Sequence, residues 1–270
     1  MKRIFINLIA SIHFFLLRQG TTRAASILFC LILVVGYDNN AASLEIPDAH
    51  YPNLLKTGVD VTKFVPDGWE IEMQAKGDLN KDGIEDVVLV LRENNPENVI
   101  KNDDPGEQLF NTNPRILAVL FGKKDGGYNL IENNHTLIPR RTDPVILDYL
   151  TGVGDGGVSI QQGTLTVKMG IFSSAGSWGM SSISYTFRWQ NNKFELIGYD
   201  STTTNRASAE IKSININYST RKVKIVCGNF TSDSDGKVSW QKLSSNKIWT
   251  IDSIGDGLEF DPGVNMNCNE

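Results

Sequence analysis

Between Ile183 and Tyr199 the chain reads ISYTFRWQNNKFELIGY. Ile183, Tyr185, Phe187 and Trp189 occupy every second position, with Ser184, Thr186, Arg188 and Gln190 between them. Successive side chains of a strand point to opposite faces, so a period of two demands a half-buried strand. Asn191-Asn192 follows at once, and asparagine tolerates the positive φ that a two-residue primed turn requires. KFELIGY then returns as the partner. A chain organised around such a hairpin must bury one face of a sheet and leave the other polar.

The pattern recurs along most of the chain. In WEIEMQA, Trp69, Ile71, Met73 and Ala75 fall on one face, and Glu70, Glu72 and Gln74 on the other, so Glu70 and Glu72 are expected in solvent. VVLVL (Val87–Leu91) is β-branched and continuous, as in a central strand buried on both sides. RILAVLF (Arg115–Phe121) is a second buried strand, with its hairpin turn at Asp125-Gly126-Gly127. IKSININY and RKVKIVCGNF pair around Ser219-Thr220, while KVSW and KIWTI are weaker strand candidates. Helical patterning is nearly absent, the best stretch being the short Arg206–Ile211. Pro47, Pro52 and Pro66 forbid a long element in the opening segment. Residues 92–114 form a polar excursion, of a length that is usually functional or mobile. The expected fold is all-β, mainly antiparallel hairpins in a propeller-like or sandwich-like arrangement. One domain is expected over 43–270, and the 40% of apolar residues in the whole chain is ordinary globular composition.

The first 42 residues read differently. Lys2, Arg3, Arg18 and Arg23 surround two apolar runs, Ile4–Leu17 and Ala24–Gly36, each shorter than the ~20 residues of a comfortable membrane span. Ala41-Ala42-Ser43 follows, so residues 1–42 have the shape of a signal peptide with an extended basic region; a retained membrane anchor is the alternative. Cys30 follows Phe29, whereas a lipoprotein signal has a small residue there. Export to an oxidising compartment would allow Cys227 and Cys268 to pair. Closing that loop of about 40 residues is worth roughly 3–4 kcal/mol in the chain-entropy model. The net charge of −5 and the lack of Lys/Arg clusters interleaved with aromatics argue against a nucleic-acid partner.

One stretch carries chemistry. KGDLNKDGIEDVVLVL places Asp78, Asn80, Asp82 and Asp86 at positions 1, 3, 5 and 9 of a loop, with Gly83 at position 6 and Ile84 at position 7. Ca²⁺ takes six to eight oxygens at roughly 2.3–2.6 Å. Alternate side chains and the backbone carbonyl of Ile84 would deliver them, and the glycine lets the loop close. A plain Asx turn needs one or two such residues, not four. Position 12 is Leu89 and both flanks read as strands, which excludes an EF-hand. Asp233, Asp235 and Gly236 in SDSDGK, and the GDG at Gly255–Gly257, read as ordinary turns.

The sequence GDLNKDGIEDVVLV resembles the calcium loop of FG-GAP/VCBS repeats, found in integrin-type β-propellers and many secreted bacterial proteins. The resemblance implies that Asp78, Asn80, Asp82 and Asp86 ligate Ca²⁺ by side chain and Ile84 by its carbonyl. The motif occurs in full once. YTFRWQNNKFELIG is similar to a hairpin in uncharacterised exported bacterial proteins that carry one such loop.

No catalytic constellation is visible. His50 and His135 lie in polar loops, no serine sits in a G-x-S-x-G elbow, and no zinc-ligand spacing is present. Trp178, in SSAGSWGMSS, would stack on a sugar or peptide if exposed; the core is the more ordinary place for it. The expected protein is an exported, calcium-binding β protein at the cell envelope or outside the cell, with a binding or structural role and a protein or glycan partner. The membrane enters only if residues 1–42 are retained. The alternative is a carboxylate-dependent hydrolase of envelope polymers.

Overall fold

A computed structural model describes residues 44–152, 156–232, 236–265 and 268. The expected leader, and Asp233 and Asp235, lie outside the described residues. In chain order the strands are β1 (Thr57–Gly58), β2 (Trp69–Gly77), β3 (Asp86–Glu93), β4 (Val99–Lys101), β5 (Leu109–Asn111), β6 (Arg115–Gly122) and β7 (Tyr128–Asn134). They continue with β8 (Gly157–Gln161), β9 (Thr164–Phe172), β10 (Gly179–Gln190), β11 (Lys193–Asn205), β12 (Glu210–Asn217), β13 (Lys222–Asn229) and β14 (Lys237–Lys242). One short helix, α1 (Ile251–Ile254), follows. Among the described residues no helix is long and apolar enough to cross a membrane.

The strands form an antiparallel five-stranded sheet in the order β1-β7-β6-β3-β2, an antiparallel seven-stranded sheet in the order β14-β13-β12-β11-β10-β9-β8, and the small β4-β5 ribbon. The fold is therefore all-β, as the alternation demands. The two larger sheets share one core. Val88, Val90, Leu117 and Val119 meet Leu165, Val167, Tyr185 and Phe187 in that core. The other face of β3 and β6, with Val87, Leu89, Leu91, Ile116 and Leu120, packs under Tyr51, Leu54 and Phe64 of the opening segment. This double coverage explains why both strands are continuously apolar. The primed turn is present, with Asn191 and Asn192 at φ 52 and 57.

The structure refines several of these readings. Within Arg206–Ile211, the best helical stretch of the sequence, 206–208 is a turn and Glu210 opens β12. KIWTI is not a strand: Thr250 makes one bridge and Ile251 opens α1. The 92–114 excursion is pinned rather than loose. Arg140 donates to the Thr112 carbonyl at 2.5 Å and to Asn98 Oδ1 at 2.9 Å, which holds β4 and β5 in place.

The expectation for β2 needs correction. Its register against β3 slips between Ile71 and Met73, a β-bulge. Trp69 and Ile71 therefore face the opening segment, while Met73 and Ala75 face the core between the sheets. A single face for all four was the sequence expectation, and the extra residue breaks it. Glu72 sits at the bulge with its side chain 7% exposed, not in solvent. It meets Arg115 there, at 2.6 Å and 2.7 Å in a two-pronged pair, and Arg92 at 3.0 Å. Arg92 and Arg115 stand directly opposite each other on β3 and β6, a like-charge pairing that would repel. Glu72 lies against both, Glu70 takes the second prong of Arg92, and Asp148 takes Arg115. Burial opposes the charge on Asp148, but Arg115 outweighs it and holds that carboxyl below its ordinary value.

The last segment is tied down at several points. Leu243, Ile251 and Ile254 enter the main core. Tyr185 donates its hydroxyl to the Gly257 carbonyl at 2.6 Å. Cys227 on β13 is bonded to Cys268, as the cysteine count suggested.

Replacing Glu72 with Gln should destabilise the fold by about 3–5 kcal/mol, because Arg115 would remain buried with its main partner neutralised. Urea unfolding checks this; a loss below about 1 kcal/mol would mean that Asp148 alone suffices.

Candidate metal centre

The β2–β3 connection runs from Asp78 to Glu85 between the ends of two core strands. The side chains of Asp78, Asn80 and Asp82 each accept from an amide a few residues ahead, while Glu85 pairs with Lys76 at 2.9 Å. Asp78 Oδ1 accepts from Lys81 N at 2.6 Å and Asp82 N at 3.2 Å, and its Oδ2 accepts from Gly83 N at 2.9 Å. Asn80 Oδ1 accepts from Asp82 N at 3.0 Å, and Asp82 Oδ1 from Ile84 N at 2.8 Å. Lys81 and Gly83 take φ of 64 and 83, the left-handed values that turn the chain inward. At Gly83 an added Cβ would meet nothing within 4 Å, so conformation rather than space calls for glycine.

Asp86 is placed differently from the other three. It is fully buried, and its Oδ2 accepts from Leu79 N at 2.8 Å and Asn80 N at 3.4 Å. Its Oδ1 accepts from Gly122 N at 3.0 Å. The carboxylate thus ties the start of the loop to the end of β6. Burial pushes its pKa up, the three amides pull it down, and the charge of Asp82 pushes it up again; the net direction is upward.

The loop also joins the two sheets. Leu79 is 1% exposed and belongs to the shared core. A Cβ at Gly163, in the β8–β9 turn, would lie 3.0 Å from Lys81 Cε and 3.5 Å from the Asp78 carbonyl oxygen. The turn of one sheet therefore rests on the loop of the other.

The donor chemistry fits a hard cation in part. A carboxylate oxygen has more than one lone-pair direction, so an amide and a cation can share it. Asp78, Asn80 and Asp82 bring oxygens to one short loop, with Ile84 at the carbonyl position. Asn80 Nδ2 now donates to Asp82 Oδ2 at 3.0 Å, the contact a cation would replace. Asp86 already serves three amides. Among the described residues no group of three or more His, Cys, Asp or Glu side chains converges in a way that could hold a metal. Ca²⁺, which accepts carbonyl, amide and water oxygens, suits such a set better than zinc.

Set beside known proteins, the chain matches no family model, no curated protein sequence and no solved structure. The likeness to FG-GAP/VCBS loops rests on the loop residues alone.

Other candidates fall into place around this loop. Trp178 is 65% exposed rather than in the core. Its carbonyl accepts from Arg206, whose guanidinium lies over Phe172 at 4.2 Å. His135 stacks on Tyr51 with ring centroids 4.2 Å apart. A recess of about 910 Å³ opens between β11–β13 and the Cys227–Cys268 bridge, with Glu210 and Asp261 on its wall. Both carboxylates are exposed and held in local turns, Glu210 by Ser208 and Asp261 by Gly263. Neither has the sheltered setting that a general acid of a hydrolase needs. Glu132 on β7 does have a shifted pKa: burial, then the charge of Asp252 on α1 and a hydrogen bond with it, push it up to about 7.

Replacing Asp86 with Ala would strand the amides of Leu79, Asn80 and Gly122, each costing about 1–3 kcal/mol when buried without a partner. The expected loss is at least about 3 kcal/mol in urea unfolding, with or without Ca²⁺. A near-neutral variant would show that the amides find water instead.

Glu132 binds its proton more tightly in the folded chain than in the unfolded one. Between its ordinary value of 4.5 and about 7, deprotonation therefore costs the folded state stability as pH rises. Glu132→Gln should match the wild type at the acid end of that window and exceed it in melting temperature above about pH 7. A constant difference across the range would refute the pairing.

Proposed function

We propose that this protein is an exported calcium-binding β protein whose role is binding or scaffolding at the cell envelope or outside the cell. The observation that carries the reading is the amide-folded loop at the joint of the two sheets, with Asp78, Asn80 and Asp82 gathered inside one turn. Three further points support it. The order of residues resembles the FG-GAP/VCBS calcium loop. Without a cation, Asp78, Asp82 and Asp86 bring like charges together, and the charge of Asp82 already acts on Asp86. The bond between Cys227 and Cys268 suits an oxidising compartment.

Calcium here has no chemical step to perform. It would neutralise the loop and stiffen the contact between Leu79, the β8–β9 turn and the core. Asp78, Asn80 and Asp82 would hold it by side chain and Ile84 by its carbonyl. Asp86 would keep the loop seated against β6.

The expected outcome is a rise in melting temperature of several degrees when Ca²⁺ replaces EDTA, consistent with ligand linkage at saturating metal. Asp82→Ala should melt at the EDTA temperature of the wild type in either condition. Identical wild-type melting curves in Ca²⁺ and EDTA would end this reading.

A further inference from the structure

The outer face of the seven-stranded sheet holds a groove that the metal loop does not explain. Along one ladder Asp200, Asn215, Lys224 and Trp240 stand opposite one another on β11, β12, β13 and β14. Along the next lie Gly198, Asn217, Lys222 and Lys242. Residues paired across a ladder share a face, and this face is opposite the one that buries Ile214, Ile216, Val223 and Ile225. Asp200, Asn215, Asn217, Lys222, Lys224 and Trp240 wall a recess of about 450 Å³. Gly198 also lines it, and a Cβ there would come within 3.3 Å of Thr186 Cβ.

The chemistry of the walls is uneven in a telling way. Trp240 is 65% exposed on the edge strand, and every residue of β14 is exposed. An indole left in water beside a recess offers a flat apolar surface with one polar edge. Lys224 Nζ lies 6.0 Å from its ring centroid. Among the described residues no carboxylate pairs with Lys222, Lys224 or Lys242. Asp200 is the one acid in the recess, and it accepts from Asn215 Nδ2 at 2.5 Å. The chain carries a net charge of −5, yet this face gathers lysines.

We propose that this groove binds an anionic polysaccharide, a polymer of carboxylated sugar rings. The assignment gives a ligand class to the binding role proposed above and needs no cation at the 78–86 loop. One ring would stack its C–H face on Trp240. Lys222 and Lys224, with Lys242 beyond them, would meet the carboxylates. Asp200, Asn215 and Asn217 would bond the hydroxyls. An open sheet face suits a polymer, because a chain can run across it without entering a closed cavity. A single-stranded nucleic acid would also meet lysines and an aromatic, but one indole gives no row of stacking platforms. Edge pairing with a second copy along β14 is opposed by Lys237 and Lys242 at its ends.

Affinity electrophoresis in gels containing polygalacturonate, uncharged dextran or no polymer tests this, on the full chain in EDTA and in Ca²⁺. The wild type should be retarded by polygalacturonate alone, in both conditions, and less so as salt rises. Trp240→Ala should weaken retardation about 10-fold, in keeping with one lost aromatic contact. Lys222→Ala combined with Lys224→Ala should weaken it and flatten the salt dependence. Trp178→Ala, on a different part of the surface, should bind as wild type. Since Trp240 is largely exposed, its replacement should leave the melting temperature unchanged. Retardation lost in Trp178→Ala but kept in Trp240→Ala would overturn the groove while leaving a binding role intact. No retardation of the wild type by polygalacturonate, or tighter binding of a single-stranded oligonucleotide, would overturn the assignment.

Discussion

The buried carboxylate of Asp86 accepts from three backbone amides. Two belong to the loop that begins at Asp78 and one to the end of β6. Because Asp86 also opens β3, a single buried side chain fixes a loop, a strand start and a strand end relative to one another. Leu79, whose amide is one of the three, then reaches the core shared by both sheets. A charged group buried to this degree is unfavourable unless hydrogen bonds stabilise it, and the three amides do so. The geometry of the loop follows from this anchor, with or without a cation.

The opposite end of the same strands has its own clamp. Arg92 on β3 and Arg115 on β6 face each other, and Glu72 lies against both because the bulge in β2 swings it inward. The five-stranded sheet is thus held by an anion among amides at one end and by anions among guanidinium groups at the other. Between the two clamps lie only apolar contacts, on both faces. Such a sheet has little freedom to shift register, since a slip of one residue would move charged groups into apolar surroundings.

The seven-stranded sheet is built differently. It buries one face against the core and the C-terminal segment and leaves the other polar. Ile214, Ile216, Val223 and Ile225 fill the core, whereas their neighbours Asn215, Asn217, Lys222 and Lys224 lie on the opposite face. Sequence inspection passed over Trp240 because it sits in a weak four-residue alternation with no neighbouring aromatic. Its significance lies in the ladder that aligns it with Lys224, Asn215 and Asp200, residues up to 40 positions away.

Local chemistry was legible wherever the information is local. The two-residue turn at Asn191-Asn192, the two-sided burial of Val87–Leu91 and the inward set Ile183, Tyr185, Phe187 all follow from periodicity and from the φ preferences of a few residues. So does the gathering of Asp78, Asn80 and Asp82, since an Asx side chain bonds an amide two to five residues ahead. The face of Glu72 did not follow, because a bulge is set by the pairing of two strands and leaves no mark in one of them. The exposure of Trp178 and the sharing of Asp86 between Leu79, Asn80 and Gly122 depend likewise on segments remote in sequence. The sequence by itself determined an all-β chain with an acid-rich turn and a hairpin at its centre, because those properties depend on neighbours a few residues apart. Only the tertiary structure decided which acids are anchors and which face of each sheet is left to water, because burial is a property of what packs on top.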